Sequence, residues 1–77
     1  MTKKEYEAIV SRLRDLQSNG RTAVAKRLAE ARTKGDLANN PDYDIARREQ
    51  AALEMEITEL KKRLDTLIID PAENPNG

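Results

Sequence analysis

Apolar residues at Tyr6, Ile9, Leu13 and Leu16 recur with 3-4-3 spacing, which lines them up on one face of a helix. Just before them, Thr2-Lys3-Lys4-Glu5 has the form of a capping box. In that motif Thr2 accepts from the first-turn backbone while Glu5 reaches back. The stripe resumes as Val24, Leu28 and Ala31, with Val24 reached from Leu16 by two steps of four across Ser18-Asn19-Gly20. A phase drift of this kind marks a stutter, kink or break. The expectation is a kink or short break near Asn19-Gly20.

Gly35 is a natural helix stop, because glycine enters the left-handed region without a side-chain clash. Asn40-Pro41-Asp42 is a matching restart: Asn40 caps, Pro41 suits the first helical position, and Asp42 sets negative charge at the positive helix end. Beyond it, Tyr43, Ala46, Gln50, Leu53, Ile57, Leu60, Leu64 and Leu67 alternate in steps of three and four, a sustained heptad seam. Asp70-Pro71 closes the helix, since the residue before proline is pushed out of helical geometry. The pattern predicts an all-α fold, a long antiparallel helical hairpin with its tip at about residues 35–41. Residues 1–70 form the coiled-coil domain, and the polar stretch 71–77 reads as a linker or disordered tail. At ~1.5 Å per residue the second helix is about 40 Å long. Leu13, Leu16, Leu60 and Leu64 supply most of the burial, and Ala31 opposite the region of Ala46 lets the helices approach near the tip. Val10, Met55, Ile68 and Ile69 are left over. They mark a face for a missing partner domain or a second chain, so self-association stays open.

Composition narrows the chemistry. Among 77 residues there are 14 Lys+Arg and 14 Asp+Glu, with no His, Cys, Trp or Phe. Disulfides, thiolate nucleophiles, imidazole bases and ordinary zinc sites are excluded. Two aromatics, Tyr6 and Tyr43, are too few for base-stacking platforms. A neutral total argues against whole-surface attraction to nucleic acid or membrane. No signal-like or membrane-spanning apolar run appears, so the expected location is cytoplasmic and no membrane partner is expected. Small size and the lack of a nucleophile–base pair argue against a stand-alone enzyme.

The charges are divided along the chain. Residues 1–34 carry nine basic and four acidic side chains, whereas residues 35–77 carry five basic and ten acidic. Asp36, Asp42 and Asp44 fall at or just after the tip, with no basic residue between Gly35 and Asp44. Two readings stand: the acids complement the helix dipole, or the tip presents carboxylates to a hard cation such as Mg²⁺. Lys61-Lys62-Arg63 is a solvated basic face near the helix C-terminus.

The run from Ala29 to Gln50, AEARTKGDLANNPDYDIARREQ, resembles the tip of the bacterial Gre transcript-cleavage factors, whose pattern is close to AEAR-x-x-GDL-x-EN-x-EY-x-x-A-[KR]-x-[EQ]-Q. The similarity extends from about Tyr6 to Asp70. It implies the family's coiled-coil domain, with RNA polymerase and the 3′ segment of nascent RNA as partners. The family's C-terminal globular domain is absent from these residues; the tail reads as the start of a linker to it, which favours an excised domain over a shortened paralogue. By this resemblance the hairpin enters the polymerase secondary channel and helps to hold Mg²⁺ at the active centre. The polymerase itself then cuts backtracked RNA; the factor is not an enzyme and has no cofactor of its own beyond the shared Mg²⁺. Position by position, Asp36 matches the first family acid and Asn39 falls at the second, where this chain has an amide. Those two are the candidate catalytic positions, with Asp36 and Asp42 the candidate metal ligands. Arg32, Arg47 and Tyr43 match positions facing RNA or polymerase. The amide at Asn39 raises an alternative, a channel-binding regulator without cleavage activity. A purely structural coiled coil is the third reading.

Overall fold

The computed structural model describes residues 2–68. Helix α1 (Lys3–Asp15) continues through a widened helical turn (Leu16–Gly20) into α2 (Arg21–Arg32). A tip with one short 3₁₀ turn, Leu37–Asn39, leads to α3 (Pro41–Ile68), which runs back along the first two helices. The shape is a rod of 58 × 19 × 13 Å. The side chains of Leu67 and Ile68, together with Ile69, the Asp70-Pro71 stop and the 71–77 tail, lie outside the described residues.

Local chemistry explains each boundary. The Thr2 hydroxyl accepts from the Glu5 N–H at 3.1 Å, one arm of the expected capping box. Gly35 sits at φ 112°, in the left-handed region where a Cβ would be strained. Asn40 caps α3, its Oδ1 accepting from the Tyr43 N–H at 3.1 Å.

The chain does not break at Asn19-Gly20. Gly20 keeps right-handed helical angles (φ −61°, ψ −51°), and the interruption is a π-helical turn. The reason lies in the spacing. Ile9 and Leu16 are seven apart, as are Val24 and Ala31, but Leu16 and Val24 are eight apart. One extra residue has to be absorbed, and a π turn absorbs it without leaving the helix. All four of these residues are buried. Ser18 donates to the Arg14 carbonyl at 2.9 Å and Asn19 to the Asp15 carboxylate at 2.8 Å, so the outer side of the wide turn is tied down. On its inner side a Cβ on Gly20 would stand 3.0 Å from Leu53 Cδ1. Glycine lets α3 approach there.

The core is one stripe per arm: Ile9, Leu16, Val24, Leu28 and Ala31 against Ala46, Leu53, Ile57 and Leu60. Leu13, Tyr43 and Leu64 are partly buried against it. Ala31 and Ala46, 3% and 2% exposed, are the small residues that bring the helices together near the tip. Tyr6, expected in the stripe, is exposed, and so is Met55.

Among the described residues the divided charge becomes four bridges to the α3 arm. Arg12 pairs with Glu56 at 3.0 Å, Arg21 with Glu54 at 2.8 Å, Arg27 with Glu49, and Lys34 with Asp42 at 2.6 Å. Each joins a cation of residues 1–34 to an acid of α3. Such exposed pairs contribute ~0–1 kcal/mol each, so they tune the pairing of the arms while the apolar stripe drives it.

Candidate functional site

The tip is held from within by one amide. Asn40 is 6% exposed, and its Nδ2 donates to the Ala31 carbonyl at 2.7 Å across the hairpin. Since its Oδ1 caps α3, a single side chain closes the end of α2 and opens the next helix. Sequence reasoning found the cap but missed the cross-tip bond. An amide, with donor and acceptor on one group, is the residue type that can make both.

Asp36 is exposed and precedes the 3₁₀ turn, its Oδ1 accepting from the Ala38 N–H at 2.9 Å. Asn39 is exposed on the same turn, its N–H bonded to the Asp36 carbonyl at 3.3 Å. Asp42 lies in the first turn of α3 and is paired with the Lys34 ammonium. That hydrogen bond, then the charge of Asp42, raises the Lys34 pKa above its ordinary value. Lys34 stands one residue before the base-free stretch and was overlooked for that reason.

Arg32, Tyr43 and Arg47 do come together. The Arg32 guanidinium carbon lies 5.9 Å from the Tyr43 ring centroid, within cation–π range. Hydrogen bonding to Arg32 is the main cause of a lowered Tyr43 pKa; partial burial opposes it, and Arg47 adds a smaller lowering. Tyr43 is also half-buried against the seam, so it serves packing and the basic cluster at once. On another flank, Arg27, Glu30, Lys34, Asp42, Ile45 and Glu49 line an open groove of about 240 Å³ whose rims are bridged by ion pairs.

These residues do not form a cation site by themselves. One Asp36 oxygen is engaged by backbone, Asp42 faces an ammonium, and position 39 is a neutral amide. Among the described residues no group of three or more metal-ligating side chains is assembled. Asp36 and Asp42 each have one carboxylate oxygen engaged by the protein itself, so the tip presents single oxygens and not an assembled donor set.

A thin, capped hairpin with this tip is matched by a family model described as "Transcription elongation factor, N-terminal" over residues 1–69. The chain belongs to the Gre family of elongation factors. The GreA of Ralstonia nicotianae is 40% identical over 73 residues, covering 94% of this chain and 46% of that protein. The GreA of Paracoccus denitrificans is 42% identical over 72 residues, 92% of this chain and 46% of its own length. For Chlorobaculum tepidum GreA the figures are 38% over 74 residues, 95% and 46%. This Gre chain thus spans about half the length of the curated relatives it matches. No solved structure matches it. Among the described residues no helix is long and apolar enough to cross a membrane.

Proposed function

We propose that this chain is the arm by which an elongation factor reaches into RNA polymerase through its secondary channel and sets its tip at the active centre. The observation that carries this reading is the shape: a rod 58 Å long and 19 × 13 Å across, with the Asp36–Asn39 turn exposed at its end. A body of that cross-section passes through an opening that a globular domain cannot enter. The names of the relatives, transcription elongation factor GreA, favour the same partner. In the proposed complex Arg32, Tyr43 and Arg47 face the 3′ segment of nascent RNA, two guanidinium groups for phosphates and one ring edge for a base or ribose.

Channel entry and stimulation of RNA cleavage are separable. Entry depends on the rod, whereas cleavage requires the tip to complete a metal ion's shell. A photo-crosslinker placed at the exposed Ala38 should label polymerase beside its active centre, and one at Lys62 should label the outer rim of the channel. Equal labelling patterns from the two positions would count against entry.

A further inference from the structure

We infer that this arm, once in the channel, acts by occupancy and does not lend a metal-binding centre, because its tip already carries its own counter-cations. The inference rests on the channel-entry reading. From Arg32 to Arg47 the chain holds three basic residues, Arg32, Lys34 and Arg47, against three acids, Asp36, Asp42 and Asp44. Counted with these flanking cations the end of the rod is formally neutral, although residues 35–44 alone carry three acids and no base, so it draws no dication from a distance. At close range two of the three acids are engaged, Asp42 and Asp36, while Asp44 is exposed. The Lys34 ammonium lies 2.6 Å from Asp42 Oδ2, in the position where a metal would compete for that oxygen. Asp36 Oδ1 holds the Ala38 N–H at 2.9 Å, and turning the carboxylate outward would uncap the 3₁₀ turn that shapes the tip. Asn39, on the same turn, offers a carbonyl without charge. The tip therefore has one oxygen each of Asp36 and Asp42 to give, with Asp44 beyond them in the first turn of α3 and no carboxylate at position 39, against a neighbouring ammonium, where a shared ion would need a concentrated negative charge. Such an arm excludes other factors from the channel while leaving the rate of RNA hydrolysis at the polymerase's own level.

Two readouts on one preparation separate this inference from the reading beneath it. The chain should displace a fluorescently labelled, cleavage-active Gre factor from backtracked polymerase, while RNA shortening stays within about twofold of polymerase alone. Displacement with shortening raised about tenfold or more overturns the inference and leaves channel entry standing. Failure to displace overturns channel entry and the inference with it. A third readout needs no polymerase: Mn²⁺ titration of the 77-residue chain, followed by broadening of the amide signals of residues 36–42. Wild type should show no saturable site below about 1 mM, the weak end of protein carboxylate sites for divalent ions. The double variant Lys34→Ala/Asn39→Glu, altered only at exposed positions, should bring the midpoint down at least about tenfold. Saturation of the wild-type tip in the micromolar range would overturn the inference, as would a double variant indistinguishable from it.

Discussion

Replacing Asn40 by Ala removes two bonds from one buried place. The lost N-cap, Oδ1 to the Tyr43 N–H at 3.1 Å, corresponds to about 0.5–2 kcal/mol. The lost cross-tip bond takes Nδ2 at 2.7 Å from the Ala31 carbonyl, which keeps its second partner, the Lys34 N–H at 3.1 Å. The carbonyl stays satisfied, so losing this bond costs about 0.5–1.5 kcal/mol. Together the variant should lose about 1–3.5 kcal/mol. For a domain of this size each kcal/mol lowers Tm by about 4–8 °C, so a fall of about 4 °C or more is expected. Urea unfolding followed by circular dichroism at 222 nm gives the test, with the midpoint moving and the slope unchanged. Asn40→Ser keeps a cap acceptor and loses the cross-tip donor, so it should fall between wild type and Asn40→Ala. Asn39→Ala, one residue away but exposed, should stay within about 0.5 kcal/mol. If Asn40→Ala also stays within that range, the amide does not hold the tip and the reasoning fails.

Other consequences follow from neighbouring features. Deleting Asn19 removes the one extra residue, so the π turn should relax to a regular α-helix with the seam intact. Thermal stability should be retained or raised, and a loss above about 2 kcal/mol would contradict the one-residue insertion. Glu54 titrates below its ordinary value because Arg21 hydrogen-bonds its charged form, with the pair's charge attraction adding to it. Its contribution to stability is therefore fully present above the unfolded-state carboxyl pKa and is lost as pH falls through the lower folded value. Carboxyl-carbon NMR titration should show the Glu54 value rising in Arg21→Gln; an unmoved value refutes the assignment. Tyr43 should ionise below the free-tyrosine value of about 10, and Arg32→Ala should move it upward in a phenolate absorbance titration. No upward movement would deny the Arg32–Tyr43 contact.

The hairpin was legible because its signals are local. Gly35 and Asn40-Pro41 act within a turn of themselves, and the α3 seam keeps one period from Ala46 to Leu64. Tyr6 misled, since its spacing fits the stripe while its place near the end of the rod leaves it exposed. The spacing at Gly20 showed that the phase slips but not how, because a break and a wide turn leave the same pattern. What decides is the close approach of Leu53, a residue 33 positions away. At the tip, the candidate residues were readable one at a time, yet their states depend on partners beyond the motif. Lys34 neutralises Asp42 from just outside the acidic stretch, and Asn40 reaches back to Ala31. Such pairings are set by how the arms meet, which no run of neighbouring residues records.

The division of charge between the arms also governs which pairings the chain avoids. A first arm with nine cations and four anions meets a second, residues 35–68, with five cations and eight anions, and folding back brings unlike charges into register. Two copies that met first arm to first arm would set an excess of cations against the same excess, and second arm to second arm would do likewise with anions. The bridges seen along the hairpin, weak one by one, thus act together as a sorting rule: the partner each arm accepts most readily is the opposite arm.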